Sequence, residues 1–506
     1  MEFLNKFKKQ SLLFILGVGF IVGFVKNVHA QKGKDTVAVV LTPEQMQEDL
    51  DSLKSFIYRT PTDPFAFISR SEWEKNFEKI SAKLTQPMAT LAFFRLVNPL
   101  VLSLKDIHSR IWLPDDRNSY VLQGGYFLPL NPRFLDRRVY IMDDHKDLIP
   151  KGSELIAVNG KAIYWVMRDM LEATYTDGEV KSTQTRLMEE NFTNLLPWFC
   201  QLDSINTLQL RLRDSKKDTL IYYPGARKKS KKKSSGPDFN DFHQLEFLSD
   251  NQIAVLTIGS FAKGWENRYR SFLRSSFRKI NQNGTENLII DIRGNKGGYI
   301  IRGPELLSYI ADSAYYYAYT SIVKSSPLFK AKIKYSMIVP GLAIPLFKNK
   351  IGKELVSGWQ TPLDTYDTLQ WEPSAPKSLK KRFKGEVYLL TDGLSISNSC
   401  LIHHAFSKNE LGTVIGNTCG CISSGTFGNS VDFRLPHSGV RGRVSTIRLT
   451  SGFEEFDFQV EGLNPDYIVE DNIDDLVNEK DTQLEFVLKL IKDKSSRIQS
   501  QSSLKP

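Results

Sequence analysis

The segment "EVYLLTDGLSISNSCLIHHAF", Glu386 to Phe406, decides how the chain is read. "EVYLL" is a short apolar run of the kind that forms a buried strand. Thr391, Asp392 and Gly393 make a turn. After Ser397, the residues Leu401, Ile402, Ala405 and Phe406 recur at helical spacing. Strand, turn and helix in that order predict an α/β unit with Ser395 or Ser397 near the helix start. A serine there either caps orphan N–H groups or offers its hydroxyl as a nucleophile beside the positive end of the helix. These residues alone leave both readings open.

The same texture runs through the second half of the chain. "QIAVLTIGSF" reads as a strand and "NRYRSFLRSSFRKIN" as an amphipathic helix with Tyr269, Phe272, Leu273 and Phe277 on one side. "NLIIDIRG" is another apolar strand, and "IRGPELLSYIA" another helix. Alternation of this kind predicts a mixed, largely parallel sheet covered by helices. Chemistry in such sheets sits at the strand ends. One strand end, Arg293 to Gly298, is glycine-rich, so its N–H groups can face a ligand. Its spacing fits neither a P-loop nor a dinucleotide fingerprint, and a tight turn is the simpler reading.

Upstream, residues 42–108 carry helical punctuation. Thr42 stands as a cap, Pro43 follows, and Met46, Leu50, Leu53 and Ile57 repeat every three or four residues. Ser71–Leu84 and Met88–Leu104 continue in that style. From about 119, short strands such as "GGYFLPL", "ELIAVNGKAI" and "TLQLRLRD" are parted by Gly, Pro, Asn and Asp. The expected layout is an export signal over 1–30 and a helical region over 31–118. A β-rich domain over 119–225, a basic linker over 226–240, a core over 241–495 and a polar tail over 496–506 follow.

The net charge of +10 looks like a signature of acidic partners, but it is local. The first thirty residues and the run "RKKSKKK" (Arg227 to Lys233) hold nearly all of it. A nucleic-acid face needs cations spread over a folded surface, so that class is excluded. Lys6, Lys8 and Lys9, then "SLLFILGVGFIVGFV" (Ser11 to Val25), then "VHA" ending at Ala30, read as a cleaved secretory signal. The apolar run is short for a bilayer span, which places the mature protein outside the cytoplasm, secreted or periplasmic, with no stable membrane span. Cys200, Cys400, Cys419 and Cys421 lack paired C-x-x-C spacing, so structural zinc is not indicated. Cys400 can bridge to Cys419 or Cys421, which are too close to bridge each other.

A serine nucleophile needs a base. His29 leaves with the signal, His403 and His404 share the helix and point away, and His145, His243 and His437 sit in polar loop contexts. His108 stands in "KDIHSRI" after an apolar helix. Periodicity alone cannot bring it to Ser397.

Four separated segments together resemble the carboxyl-terminal processing (tail-specific) serine proteases and their tricorn-like relatives. "NLIIDIRGNKGG" is similar to their glycine turn, and "VYLLTDGLSISNSCLIHHAF" with "LGTVIGNTCG" to their nucleophile segment. "LSLKDIHSRI" is similar to their base segment, and "EGLNPDYIV" (Glu461 to Val469) to their closing motif. The resemblance implies Ser397 as nucleophile, with the N–H of Asn398 and of Gly297 or Gly298 as oxyanion donors. Cys421 and Ile422 stand where the Ser–Lys form carries its lysine, so the histidine form is implied, with His108 as base and Glu461 helping to orient it. "IPKGSELIAVNGKAI" (Ile149 to Ile163) is similar to a PDZ strand, so the β-rich domain is expected to be PDZ-like and to bind peptide tails.

The implied fold is thus an α+β to α/β multidomain chain: helical bundle, PDZ-like domain, and a ClpP/crotonase-like protease core with a mixed sheet. The implied activity is peptide-bond hydrolysis on peptide or unfolded protein substrates, without metal or other cofactor. Ile107 before the histidine, Ser109 after it, Cys400 three residues past Ser397, and Lys296 within the glycine run depart from the family pattern. They motivate the alternative of an inactive, peptide-binding scaffold.

Overall fold

A computed structural model of the protein describes residues 40–114, 125–143, 148–227, 238–250, 252–262, 266–318, 320–336, 350–450 and 460–502. The expected export segment, His29, His145, most of the basic linker and the last four residues of the tail lie outside the described residues.

The strand, turn and helix expected at Glu386–Phe406 form as Glu386–Thr391, a turn, and Asn398–Lys408. The strand lies inside a six-stranded sheet. In spatial order the strands are His243–Leu248, Ile253–Ile258, Asn287–Asp291, Glu386–Thr391, Thr413–Gly416 and Tyr467–Ile468. The first pair is antiparallel and every later pairing is parallel, as the alternation of strand and helix requires.

Parallel strands buried on both faces must be apolar throughout, and these are. Ile253, Val255, Ile289, Tyr388, Leu390 and Ile415 alternate along their strands to one face, where Val487 and Ile491 of the C-terminal helix Thr482–Ser502 pack on them. The intervening Leu256, Leu288, Ile290 and Leu389 are fully buried on the other face. The crossover helix Glu266–Gln282 buries Tyr269, Leu273, Phe277 and Ile280, a stripe at helical spacing. Each such side chain contributes roughly 1.5–3 kcal/mol.

The N-terminal helices form as Pro43–Arg59, Arg70–Ser81 and Thr90–Leu102. Thr42 and Gln45 make a capping box, each side chain bonded to the other's backbone N–H (3.3 and 3.1 Å). Residues 126–227 carry a separate sheet, ordered Asp218–Pro224, Ile205–Arg211, Ser153–Val158, Arg138–Ile141 and Pro132–Leu135, with Lys161–Ala162 off its path. Helices Ile163–Glu172 and Lys181–Phe199 supply Val166, Met170, Met188 and Phe192 to its own core.

Two smaller sheets tie the ends of the chain together. Arg110–Trp112 pairs antiparallel with Arg441–Val444, Ile111 opposite Gly442. Gly425–Gly428 pairs with Ile447–Thr450, which pairs in turn with Thr320–Lys324. Among the described residues no helix is long and apolar enough to cross a membrane.

His403 and His404 are sealed inside the core. Burial pushes them down from the ordinary 6.5 to about 3 and about 4. Both stay neutral in the fold while unfolded histidines protonate, so the unfolded chain binds more protons as pH falls below 6.5. Stability is therefore present above pH 6.5 and is lost on acidification towards about 4. The expected slope is about 1.4 kcal/mol per pH unit for each histidine. Urea midpoints measured across that range check it. His403→Phe replaces a ring whose nitrogens have no hydrogen bond among the described residues, and should flatten the curve by one histidine's share.

Candidate active site

Three serines crowd the corner between strand and helix, and their hydroxyls separate by what they bond. Ser395 Oγ donates to the Ile292 carbonyl (2.9 Å) and accepts the Asp392 N–H (3.1 Å). Ser399 Oγ donates to the Asn295 carbonyl (2.7 Å). Ser397 Oγ has no hydrogen bond among the described residues, and the side chain does not cap the helix it precedes. Its backbone sits at φ 58°, ψ −117°. A non-glycine residue held at positive φ costs of order 1–3 kcal/mol and persists only where its surroundings over-determine it. The surroundings here do so: the Ser397 carbonyl accepts the N–H groups of Cys400 (3.0 Å) and Leu401 (3.2 Å), while Ile396 N donates to the Asn295 carbonyl (3.1 Å).

Asn295 joins the glycine turn to that corner. Fully buried, it donates Nδ2–H to the Ile258 carbonyl (2.7 Å) and accepts the Gly297 N–H on Oδ1 (2.9 Å). The two turns touch at Gly297, φ 84°, where a Cβ would stand 2.6 Å from the Ile396 carbonyl and 2.8 Å from Ser397 Cβ. Gly298, φ 138°, leaves no room for a Cβ either, since one would lie 2.2 Å from the Phe261 carbonyl.

Both glycines were candidates for an oxyanion donor, and the bonds distinguish them. The Gly297 N–H is committed to Asn295. The amides of exposed Gly298 and of Asn398 have no acceptor among the described residues. Asn398 is held in place by its own side chain: Tyr317 Oη donates to its Oδ1 (2.5 Å), and its Nδ2 donates to the Tyr299 carbonyl (3.1 Å).

His108 arrives on the segment leading into Arg110–Trp112. Ile107 beside it shares an apolar cluster with Leu394 and Ile396, which precede Ser397. The imidazole is not hydrogen-bonded to Ser397, and its Nδ1 is buried without a hydrogen bond. The nearest carboxylate is Asp106, with Oδ1 3.6 Å from Nδ1. Asp106 also accepts the His108 N–H (2.8 Å) and the hydroxyls of Ser109 (2.5 Å) and Ser445 (2.6 Å). Burial pulls its carboxyl upward, but His108 and those hydroxyls outweigh it and hold Asp106 below the usual range. Asp177 is the second carboxylate, accepting the Ile107 N–H (2.7 Å). Burial, aided by Asp106, pushes it up to about 7 against the pull of His108.

Glu461 does not take the expected place beside His108. Its side chain is exposed and forms no ion pair with His108. It enters the neighbourhood by its backbone, whose carbonyl accepts the Ser423 N–H (3.0 Å). Asp106 and Asp177 were missed. Asp106 was legible in "DIHS", where a carboxylate can accept the N–H two residues on. Asp177 is brought in by tertiary folding and leaves no local signal.

Among the described residues, two clusters hold metal-ligating atoms within 4.8 Å: Asp106, His108 and Asp177, and Cys400, Cys419 and Cys421. The oxygens of the first accept protein N–H and O–H groups. In the second, Cys400 and Cys421 are joined as a disulfide, which excludes Cys400 as a nucleophile. The bridge closes a span of 21 residues and contributes about 3 kcal/mol. It fixes helix Asn398–Lys408 to the loop after strand Thr413–Gly416. Helix Lys181–Phe199 braces the other side: Thr183 Oγ1 donates to the Gly393 carbonyl (2.8 Å), Arg186 lies 3.6 Å from Asp392, and Lys296 pairs with Glu190. A cavity of about 360 Å³ opens beside Ser397, Asn398 and Gly298.

Residues 252–469 match Peptidase family S41. No curated protein matches the sequence. Among solved structures, the chain is similar to mature CPAF complexed with lactacystin, with a TM-score of 0.65 at 13% identity over 88% of this chain and 97% of that one. Mature CPAF alone gives 0.62 at 13% identity, over 86% and 94%. The photosystem II D1 C-terminal processing protease overlaps more loosely, with a TM-score of 0.41 at 12% identity over 86% and 97%. The likeness to CPAF is one of fold, and it extends over most of the chain.

Asn295→Ala tests how the corner is held. It leaves the Ile258 carbonyl and the Gly297 N–H without partners, at an expected cost of about 2–4 kcal/mol, read as a lower urea midpoint. Labelling of Ser397 by a fluorophosphonate should slow at least about tenfold as the donors shift. Asn295→Asp, which keeps the acceptor for Gly297, should recover part of the labelling rate.

Proposed function

From the premise that the chain carries a Peptidase family S41 domain and is a serine-type peptidase, we propose that it is an exported endopeptidase working through an acyl-enzyme on Ser397. One observation carries the choice of residue. Of the three serine hydroxyls at the corner, that of Ser397 alone is unbonded among the described residues, and it stands beside two amides without acceptors among them.

In this reading the Ser397 hydroxyl attacks the scissile carbonyl while His108 takes its proton. The carbonyl oxygen, becoming negative, accepts the N–H groups of Gly298 and Asn398. His108 then gives its proton to the departing amine, and water releases the acyl group by the reverse sequence. In this reading the Ser397–His108 hydrogen bond, which the structure does not show, forms in the substrate complex, a tightening common to catalytic pairs. Asp106 orients the imidazole through Nδ1 and offsets its charge during transfer, the part first assigned to Glu461.

The sheet of residues 132–224 is read as PDZ-like, presenting the edge strand Pro132–Leu135 to a peptide tail. A cavity of about 660 Å³ adjoins that edge, lined by Arg137, Arg168 and Lys181 together with Asp136, Glu470 and Asp471, and Arg133 there pairs with Glu189 and Asp471. Residues 1–30 are read as the export signal, and the disulfide suits an oxidising compartment.

Mature protein incubated with casein and with a fluorophosphonate probe should cleave the one and label Ser397 with the other, and Ser397→Ala should abolish both. The missing Ser–His hydrogen bond favours the alternative of an inactive scaffold. That alternative requires no cleavage and no label, with peptide binding retained. Asp106→Asn should lower kcat/KM by roughly 10²–10⁴ and displace the alkaline-rising limb of the pH–rate profile. A purely structural role would lower stability without moving that limb.

A further inference from the structure

We propose that the cavity beside Ser397 receives the side chain preceding the cut, and that it selects large apolar residues such as leucine, methionine and phenylalanine. The inference rests on the peptidase reading above and extends it to a substrate class.

A carbonyl oxygen bonded to the N–H groups of Gly298 and Asn398 holds its own residue against both. Gly298, Asn398 and Ser397 all line the cavity. The space therefore opens where that residue's side chain leaves the peptide backbone. Its volume of about 360 Å³ accommodates a full leucine or phenylalanine side chain.

The walls decide what enters. Ile300, Ile333, Leu401, Phe427, Ile447 and Leu449 present hydrocarbon. Two charged residues reach the cavity, and both are committed to the protein. Lys332 Nζ donates to Asn429 Oδ1 (3.0 Å) and the Ser430 carbonyl (2.8 Å), and buried Glu354 accepts the Ser321 hydroxyl (2.7 Å). A charged guest would lose its water without gaining a partner. A small guest would leave the walls uncovered, whereas a large apolar one fills the space and removes its own surface from water.

Gly428 gives a handle on the pocket. It lines the cavity, and a Cβ built on it meets nothing within 4 Å. A larger side chain there takes up cavity space without displacing the fold.

The test is a series of peptides differing only in the residue before the cut: Leu, Met, Phe, Ala, Asp and Lys. Fluorophosphonate labelling of Ser397 is followed in parallel. Leu, Met and Phe should exceed Ala in kcat/KM by about 10–200-fold, with Asp and Lys poorest. Gly428→Leu should reduce the Leu-to-Ala ratio by at least about tenfold. Labelled enzyme that prefers Ala, Asp or Lys overturns the pocket assignment and leaves the peptidase reading standing. So does a Gly428→Leu enzyme that still labels at Ser397 with its Leu-to-Ala ratio unchanged. Absence of both labelling and cleavage overturns the peptidase reading and the pocket with it. Should Gly428→Leu fail to fold, the unsubstituted enzyme's series decides alone.

Discussion

The corner at Ser397 depends on the groups that Asn295 satisfies. This one buried residue offers a carbonyl to Ile396 and Ser399, an Oδ1 to Gly297 and an Nδ2–H to Ile258. In the sheet interior each of those groups would otherwise be orphaned, and an unpaired buried polar group costs about 1–3 kcal/mol. The penalty for any other arrangement keeps Ser397 at positive φ, where its hydroxyl escapes the helix N-terminus it would otherwise cap. Local strain at the serine is thereby maintained by a residue on the turn after the neighbouring strand, Asn287–Asp291.

A second constraint operates over much greater distance. His108 belongs to the helical front of the chain, yet the strand two residues later pairs with Arg441–Val444. That ladder, and the packing of Ile107 on Ile396, carry the imidazole to the serine's neighbourhood. The residues surrounding it come from three places: Asp106 from its own turn, Asp177 from the segment before helix Lys181–Phe199, and Ser445 from the far strand pair. Two carboxylates so close cannot both ionise easily. Their opposite displacements, Asp106 down and Asp177 up, express that conflict around a single imidazole.

Much of the fold was legible because local pattern and tertiary burial agree. "NLIID" and "EVYLL" are apolar throughout, and only strands covered on both faces tolerate that. The helix at Thr42 announced itself with a cap that the structure completes. Ser397 was singled out among its neighbours only by family resemblance, because helical spacing places Ser395 equally well. What separates them is the hydrogen bond from Ser395 to Ile292, a contact made across 103 residues. The choice between Gly297 and Gly298 was hidden for a similar reason: it turns on which amide Asn295 claims, and no spacing rule encodes that. Glu461 is placed beside His108 by motif order, which says which segments approach each other but not which side chain faces inward; its side chain is exposed. The segment "YWVMRDMLEATYTDGEVKSTQTRLMEENFTNLLPWFC" forms two helices, whose second braces the turn before Ser397.

The pairing of Arg110–Trp112 with Arg441–Val444 has a bearing on biosynthesis. A ribosome must deliver more than four-fifths of the polypeptide before the acceptor strand for the histidine-bearing segment exists. Until then the imidazole and the hydroxyl belong to unconnected pieces. If the two groups act together as proposed, the growing chain stays inert towards neighbouring nascent proteins until that strand has emerged.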